Sequence, residues 1–250
     1  MRIAVVGGTG TVGRHVVQAA HGAGHETVVV ARSTGIDVLT GEGLERALAG
    51  VEAVVDVANQ FSTKAARATA FFTAVSRRLQ EVGARCGVSH IVTLSIVGID
   101  SVPGWGYYEG KVAQEAVALG GPVPGTLLRA TQFHEFPGQV LDQYPTGPFA
   151  VCPRMRVQPV AASTVADRLV ELAAGPPVGR AEDLGGPEPA DLRDLARRLL
   201  RRRGSRAVLV PLPVPGKVGR ALSGGALLPG PGARLAGPTF DEWLRVAISP

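Results

Sequence analysis

The chain has 250 residues, of which 45% are hydrophobic and 19% are charged, so a sizeable core can form and global disorder is excluded. Its formal net charge is +5, and because the chain has only three lysines, arginine carries most of the positive charge. No uninterrupted apolar run approaches the roughly 20 residues that a membrane span needs. We therefore expect a cytoplasmic protein of one large domain, or one and a half small ones, that contacts no membrane.

The first 130 residues alternate apolar runs with amphipathic stretches. The apolar runs predict strands at residues 2–6, 27–31, 38–39, 53–58, 90–96 and 126–131. The amphipathic stretches predict helices at residues 11–23, 43–48, 64–86 and 107–119. Continuous apolar strands separated by helices indicate a parallel sheet that is covered on both faces. We therefore predict an α/β protein with a Rossmann-type doubly wound parallel sheet, formed by residues 1–135.

The rest of the chain, residues 136–250, is less regular. Its predicted elements are two helices and one short strand, at residues 165–174, 190–203 and 207–210. A final helix opens with Thr239 and Glu242, which are spaced as a capping box. Residues 211–238 are rich in glycine and proline and predict a loop, which suits a substrate lid and equally a passive connection. No linker separates this part from the core. We expect a small C-terminal α/β substrate-binding cap that packs over the carboxyl edge of the sheet, in a single structural unit.

Seven arginines crowd one late helix and its end: Arg193, Arg197, Arg198, Arg201, Arg202, Arg203 and Arg206. Apolar residues recur there at helical spacing, and they are Leu192, Leu195, Ala196, Leu199 and Leu200. The arginines fall mostly on the opposite face, which a solvated surface explains; anion or RNA binding is the alternative. Because no aromatic residues are interleaved with the arginines, we expect no nucleic-acid partner.

A glycine-rich loop lies between the first strand and the first helix, with the sequence Gly7-Gly8-Thr9-Gly10-Thr11-Val12-Gly13. Glycine allows a tight turn and lets the backbone approach a pyrophosphate, which the free N–H groups and the dipole of the helix N-terminus attract. Its position in a βαβ unit favours dinucleotide binding over a loop that only turns the chain. With glycines three residues apart, the loop resembles that of the short-chain dehydrogenase/reductase superfamily, in the form of its extended and atypical branches.

The second strand ends at Arg32 and Ser33, where NAD-specific proteins usually place an acidic residue on the ribose 2′-hydroxyl. A guanidinium and a hydroxyl suit a 2′-phosphate, so we predict NADP(H) in preference to NAD(H). The alternative is that Arg32 stacks on the adenine or points to solvent. The resemblance implies further contacts with the adenine, and then with the ribose and pyrophosphate, although ordinary strand ends also explain these residues: Asp37, Val38, Ala58 and Asn59.

Tyr107 and Lys111 are four residues apart on a predicted helix and therefore share one face. A lysine ammonium beside a tyrosine stabilises the phenolate and lowers its pKa toward the working pH. Ser95 lies twelve residues before Tyr107, close to the spacing of the Ser–Tyr–Lys set of the superfamily that the chain resembles. In that set the serine polarises the carbonyl, the tyrosine donates the proton and the lysine also holds the nicotinamide ribose. Tyr108 competes for the proton-donor role, and packing of both tyrosines on the pocket wall is the remaining alternative.

Three further stretches narrow the resemblance, namely SIVGID from Ser95, Gln114-Glu115, and LRATQF from Leu128. Together with the closing TFxxWL from Thr239, they are similar to NmrA-like, NAD(P)H-binding atypical reductases over essentially the whole chain. That group contains quinone, dye and aryl ether reductases as well as non-catalytic redox sensors, so the resemblance names no substrate. Many of its members lack the catalytic tyrosine, and the tyrosine in this sequence therefore favours an enzyme.

Phe133 and His134 follow the sixth strand, near the expected nicotinamide end of the cleft. Phe133 suits stacking on a planar substrate, and His134 suits a hydrogen bond to its oxygen; a purely structural histidine is the alternative. Trp105 and Tyr108 are the other predicted substrate-binding residues, with Trp105 as part of a lid. The histidines and the two cysteines have no metal-ligand spacing, so we expect no metal.

These patterns together predict an NADPH-dependent reductase. It would transfer hydride to a carbonyl, a quinone or a conjugated double bond of a hydrophobic small molecule, as a monomer or a homodimer. Two alternatives stay open. One is a non-catalytic NADP(H)-sensing protein that docks a partner, and the other is a cofactor-binding enzyme that performs non-redox isomerisation, dehydration or cyclisation.

Overall fold

The computed structural model describes residues 1–143, 145–146 and 148–247. The chain forms two compact units. The first unit contains Met1–Ser95, Trp105–Arg129 and Ser163–Glu182, and the second contains Ile96–Gly104, Ala130–Ala162 and the chain from Asp183 onward. Each unit includes segments from both sides of residue 135, and the division predicted at that residue stays a prediction.

The strands of the described residues are β1 (Arg2–Val6), β2 (Glu26–Val30), β3 (Ala53–Asp56), β4 (His90–Ile96), β5 (Gly125–Ala130), β6 (Pro145–Thr146), β7 (Phe149–Pro153), β8 (Arg156–Val157), β9 (Gly179–Arg180), β10 (Leu184–Gly185), β11 (Ala190–Asp191), β12 (Val208–Leu212) and β13 (Arg234–Leu235). The helices are α1 (Thr11–Gly22), α2 (Leu44–Leu48), α3 (Ala65–Cys86), α4 (Gly106–Gly120), α5 (Phe136–Gln143), α6 (Ala162–Ala174), α7 (Leu192–Arg202), α8 (Gly216–Gly224) and α9 (Phe240–Ala247). Within the described part of the chain, no helix is both long enough and apolar enough to cross a bilayer.

The first unit is built on a sheet with the strand order β2-β1-β3-β4-β5-β9. The pairs β1–β2, β1–β3, β3–β4 and β5–β9 are parallel, and β1, β3 and β4 are almost entirely buried. The predicted Rossmann-type α/β sheet is therefore confirmed. The chain first passes from β1 outward to β2 and then returns past β1 to β3 on the other side, so the direction of winding reverses at β1. Such a switch point opens the crevice in which doubly wound sheets bind ligands.

The strand predicted at residues 38–39 is wrong. Asp37 instead makes an isolated bridge with Glu42, and its carboxylate accepts a hydrogen bond from the Leu39 backbone N–H at 2.8 Å. An aspartate that binds the backbone two residues further on stabilises a turn in competition with a strand. Val38 is half-buried and packs against the hydrophobic cluster around α2 rather than in a sheet.

Helices α3 and α4 of the first unit pack closely. A Cβ atom on Gly110 of α4 would lie 2.7 Å from the carbonyl carbon and from the Cβ of Ala68 on α3, so only glycine permits this approach. The buried Gln80 side chain on α3 extends the contact to the end of α4. Its amide donates to the Ala118 carbonyl at 3.0 Å and accepts from the Val123 N–H at 2.8 Å. This packing determines which face of α4 is turned toward α3.

The second unit contains two small sheets, β12-β7-β6 and β11-β8. It also contains a parallel pairing of β10 with Ala130 at the end of β5 and with β13. Helix α7 begins after Asp191, whose carboxylate caps it by accepting from the Arg193 N–H at 2.9 Å. The predicted apolar face of this helix is buried, and arginines on its other face pair with carboxylates, as in Arg197–Asp194, Arg198–Asp241 and Arg203–Asp142.

The end of the second unit confirms one prediction and corrects another. Thr239 and Glu242 form the predicted capping box: the Glu242 N–H donates to Thr239 Oγ1 at 3.3 Å, and the Thr239 N–H donates to Glu242 Oε2 at 2.8 Å. The stretch 211–238, predicted as loop throughout, contains α8 and β13. Three of the nine residues of α8 are glycine, which lowers helix propensity and conceals the helix from a sequence pattern.

Candidate functional site

The glycine-rich loop connects β1 to α1 in a tight turn. The Gly7 N–H donates to the Val30 carbonyl at 2.9 Å, and the Gly10 N–H donates to the Gly7 carbonyl at 2.9 Å. A Cβ atom on Gly13 would lie 2.1 Å from the Gly7 oxygen, so only glycine lets α1 start this close to the loop. No side chain of the described residues caps the first turn of α1. Its N–H groups and the positive end of its dipole therefore suit a pyrophosphate.

The remaining predicted residues of this loop differ in exposure. Thr9 is exposed, and its carbonyl accepts a hydrogen bond from the Arg14 guanidinium at 3.0 Å. Thr11 is half-buried at the first position of α1, whereas Val12 is buried. The backbone N–H of Val12, rather than its side chain, is thus the group that suits a phosphate.

The turn after β2 presents the two residues predicted to read the 2′-phosphate. Arg32–Thr34 form a short 3-10 turn, which the Thr34 hydroxyl closes by accepting from the Ala31 N–H at 3.2 Å. Arg32 and Ser33 are exposed. A guanidinium and a hydroxyl side by side fit an anion, and the preference for NADP(H) stays a prediction. The predicted adenine contacts, Asp37 and Val38, lie in the turn that follows.

Tyr107 projects from the first turn of α4 and is half-exposed. Its hydroxyl donates to Asn59 Oδ1 at 2.9 Å, and its ring lies 5.4 Å from the ring of Phe61 and 5.8 Å from that of Phe72. Burial raises the pKa of Tyr107 to about 12, so the lowering of this pKa that was expected from Lys111 is wrong. The phenol therefore stays protonated at neutral pH and holds a proton that it can donate.

Tyr108, the competing proton donor, is more buried than its neighbour. Its ring lies 5.7 Å from that of Tyr107 and 6.4 Å from that of Trp105, the half-buried residue that precedes α4. Burial raises the pKa of Tyr108, and the neighbouring Tyr107 raises it further. The hydroxyl fixed by Asn59 thus belongs to the more exposed tyrosine of the pair.

Lys111 follows Tyr107 by one turn of α4 and is buried. Its Nζ donates to the Leu94 carbonyl at 2.7 Å and to Gln114 Oε1, and it lies 4.8 Å from the centre of the Phe72 ring. Burial lowers the pKa of Lys111 to about 8, whereas the carboxylate of Asp56 opposes that shift. Because Phe72 contacts both Tyr107 and Lys111, the two side chains share the face of α4 that packs on α3, in line with their spacing of four residues.

Asp56 and Gln114 also belong to this cluster, and the sequence analysis did not predict them as site residues. Asp56 Oδ2 accepts a hydrogen bond from Gln114 Nε2 at 2.9 Å, and Asp56 Oδ1 accepts one from the Ala58 N–H at 3.0 Å. Burial raises the pKa of Asp56, and the nearby Lys111 opposes that shift. The signal that could have identified Asp56 is an acidic residue at the end of the otherwise apolar strand AVVD.

Ser95 lies in a different cluster from Tyr107 and Lys111. Its hydroxyl donates to Glu115 Oε1 at 2.6 Å, which uses the only proton of that hydroxyl. Glu115 also accepts two hydrogen bonds from Arg129, at 2.8 and 2.6 Å, and one from Arg180 at 3.2 Å. The structure therefore brings together Tyr107, Lys111 and Asn59, and it directs Ser95 to a buried ion-pair cluster.

The predicted substrate residues Phe133 and His134 belong to the second unit. Phe133 is half-buried and forms a bridge with Val160. His134 is buried, and its Nε2 lies 3.0 Å from the Pro238 carbonyl; because a carbonyl only accepts, Nε2 carries the hydrogen. Burial lowers the pKa of His134. Its role and that of Phe133 in substrate binding stay predictions.

Comparisons with known proteins bear on this arrangement. Residues 3–104 match the model of the NAD-dependent epimerase/dehydratase family, and no curated protein sequence matches the chain. A short-chain dehydrogenase/reductase superfamily protein from Agrobacterium tumefaciens, solved with bound NAD, has a TM-score of 0.70 with this chain. The two are 19% identical, and the match covers 99% of this chain and 96% of that one. The chain has the short-chain dehydrogenase/reductase fold.

Two further solved structures share the short-chain dehydrogenase/reductase fold. An NAD-dependent NDP-hexosamine 5,6-dehydratase of tunicamycin biosynthesis has a TM-score of 0.73 at 19% identity, over 99% of this chain and 96% of that one. A nucleoside-diphosphate-sugar epimerase from Pseudomonas aeruginosa has a TM-score of 0.72 at 20% identity, over the same two shares. At such identities the likeness establishes the fold, and the finer resemblance to NmrA-like reductases stays a prediction.

Proposed function

We propose that the protein is an NADP(H)-dependent oxidoreductase that reduces a carbonyl, a quinone or a conjugated double bond of a hydrophobic small molecule. The observation that carries this proposal is the Tyr107 hydroxyl, which donates a hydrogen bond to Asn59 at 2.9 Å and is held in place by it. A protonated phenol in a fixed position is suited to the proton transfer that completes the reduction of a carbonyl.

The glycine-rich loop and the N-terminus of α1 would hold the pyrophosphate of the cofactor, and Arg32 with Ser33 would hold its 2′-phosphate. When bound, the reduced nicotinamide supplies a hydride to the substrate carbon. Tyr107 gives its proton to the substrate oxygen as negative charge develops there, and the phenolate then recovers a proton from solvent. Lys111, one helical turn further on and on the same helix face, would hold the nicotinamide ribose.

A second candidate is a reaction of the epimerase or dehydratase type, with no net consumption of nucleotide. It is supported by the family model that matches residues 3–104 and by the sugar-nucleotide enzymes among the similar structures. Oxidation of a substrate hydroxyl in its first step needs a base. The Tyr107 hydroxyl donates to Asn59 and so carries its proton, which suits the acid role, and the reductase is therefore the preferred proposal. A protein that senses NADP(H) remains the third reading, in which the nucleotide binds without turnover.

Calorimetric titration of NADPH and NADH into the purified protein tests the cofactor. We expect NADPH to bind more tightly than NADH. In Arg32→Ala the ratio of the two affinities should fall by about 10- to 100-fold, because a charge-assisted contact with the 2′-phosphate is removed. Arg77→Ala, which removes the same charge from the exposed face of α3, is the matched control and should leave both affinities unchanged. If neither nucleotide binds, the reductase proposal fails.

An assay of NADPH oxidation then separates the candidate functions. We expect absorbance at 340 nm to fall with quinones, enones or aldehydes and to stay constant with UDP-sugars. Conversion of a UDP-sugar without loss of NADPH would favour the epimerase-type reaction. Tight nucleotide binding with no product from either substrate class would favour the sensor.

A further inference from the structure

Asp56 is the last residue of β3 and is 1% exposed. The three strand residues before it are apolar and fully buried. A buried carboxyl group costs stability unless its partners compensate, and a well-packed apolar residue in such a place is often as stable or more stable. The acid therefore points to a role other than packing.

Gln114 joins this acid to Lys111. It is fully buried, and its amide has one assignment that satisfies both neighbours: Nε2 donates to Asp56, and Oε1 accepts from the Lys111 ammonium. The same ammonium donates to the Leu94 carbonyl on β4. Two of its three N–H groups are thus bound within the protein, which fixes the lysine.

The hydrogen bonds close a circuit between α4 and the end of β3. Asp56 accepts from the Ala58 N–H, which orients the segment that leads to Asn59, and Asn59 accepts from Tyr107. Tyr107 is one helical turn before Lys111, which returns to Asp56 through Gln114. One carboxyl group therefore contacts both of the segments that hold the proposed proton donor.

We propose that Asp56 is a positioning residue, which through Gln114 holds Lys111 and through the Ala58 N–H holds Asn59, so that Tyr107 is aligned between them. This inference rests on the proposed function only in the role it gives to Tyr107. The groups that act on Lys111 are the carboxylates of Asp56 and Glu115, the ring of Phe72 from α3 and the Leu94 carbonyl from β4.

The lysine content of the chain makes a direct test possible. Lys64, Lys111 and Lys217 are the only lysines, so protein labelled with ¹³C and ¹⁵N in lysine gives three side-chain NMR signals. Loss of one signal in Lys111→Met assigns it. We expect Lys111 to titrate below the ordinary range of a lysine in the wild type, because burial lowers its pKa to about 8.

Asp56→Asn removes the charge and retains the size of the side chain. We expect the Lys111 midpoint to fall by about one pH unit or more, because a nearby negative charge favours the ammonium form. Asp194→Asn, an exposed aspartate on α7, is the control and should leave the Lys111 midpoint unchanged. An Asp56→Asn shift no larger than that of the control overturns the proposal.

Gln114→Leu gives a second test if Asp56→Asn does not fold. It removes the amide that accepts from the ammonium and donates to Asp56, so the Lys111 midpoint should fall. An unchanged midpoint overturns the link through Gln114. These titrations need neither nucleotide nor substrate, so a protein without turnover but with the expected shifts would disprove the proposed function and leave the circuit intact.

Turnover supplies the functional readout. In Asp56→Asn we expect kcat to fall at least 10-fold, because the variant disturbs the alignment of the proton donor. The alkaline limb of the pH profile should move down by the same amount as the NMR midpoint. A lowered kcat with an unshifted pH profile would indicate a merely structural role and would contradict the positioning role.

Discussion

The hydroxyl of Tyr107 donates to Oδ1 of Asn59 across 2.9 Å. Asn59 is three residues beyond the end of β3, so this bond connects the first turn of α4 to the segment at the switch point of the sheet. A neutral amide oxygen is a modest acceptor, and exchanging it for a substrate oxygen that gains negative charge strengthens the hydrogen bond. Asn59 therefore holds the proton in place without competing strongly for it.

Tyr107→Phe should remove turnover and little else. We expect kcat to fall by about 10²- to 10⁴-fold, the usual contribution of a positioned general acid, with unchanged nucleotide affinity. Because Tyr107 is half-exposed, the loss of one hydrogen bond should cost only about 1 kcal/mol of unfolding free energy. Tyr108→Phe is the matched comparison. A variant at 108 that loses turnover while the variant at 107 retains it would transfer the role to Tyr108.

Gly110→Ala should push α4 away from α3. The added methyl group would meet the Ala68 backbone at 2.7 Å, and we expect a loss of about 1–3 kcal/mol in unfolding free energy, as for other overpacked contacts. Gly120→Ala, at the end of the same helix and with nothing within 4 Å, is the control and should be neutral or slightly stabilising. Urea denaturation measures both, and equal effects of the two substitutions would contradict the close packing.

Glu115→Gln should be among the most destabilising single changes in the first unit. The Glu115 side chain is 2% exposed and accepts from Arg129 and Arg180, so the substitution leaves the half-buried guanidinium of Arg129 facing a neutral amide. We expect a loss of about 3 kcal/mol in unfolding free energy. Glu81→Gln on the exposed face of α3 should stay within about 0.5 kcal/mol of the wild type. Comparable denaturation midpoints for the two variants would argue against the buried ion pair.

Stability should depend on pH through Lys111. Burial lowers its pKa from 10.5 to about 8, so between those values the unfolded chain binds more protons than the native protein. The free energy of unfolding therefore rises with pH over this range, by at most about 1.4 kcal/mol per pH unit from this group. Lys111→Met lacks this contribution, and the difference in stability between the wild type and the variant should change in favour of the wild type from pH 8 to pH 10. Denaturation at intervals of one pH unit measures it, and a constant difference would contradict the lowered pKa.

Most elements of the first unit could be predicted because their patterns are local, whereas the strand at residues 38–39 was wrong and β9 was not predicted. The run from His90 to Ile96 is apolar and β-branched in most positions, and the structure has β4 over those residues. The α8 helix in the second unit could not be predicted in this way. Its Gly219 is so close to the Val214 carbonyl that a Cβ would lie 1.7 Å from the oxygen, and packing of this kind outweighs the low helix propensity of glycine.

The candidate site, too, could be predicted only where its residues lie close together in the chain. The spacing of Tyr107 and Lys111 predicts a shared helix face, and the structure has both in contact with Phe72. Hydrogen bonds between residues far apart in the chain produce no periodic pattern in the sequence. Gln114 is 58 residues from Asp56, and the Ser95 hydroxyl turns to Glu115, 20 residues further on, so neither partner can be recognised from one sequence.

The chain passes between its two compact units five times, and no continuous segment contains either unit. A single recombination event therefore cannot exchange one unit for that of a relative, as happens in proteins whose domains follow one another along the chain. New specificities in such a protein must accumulate through point substitutions and through insertions in individual connections. Laboratory chimaeras that aim to transplant the second unit would need to replace three separate segments at once.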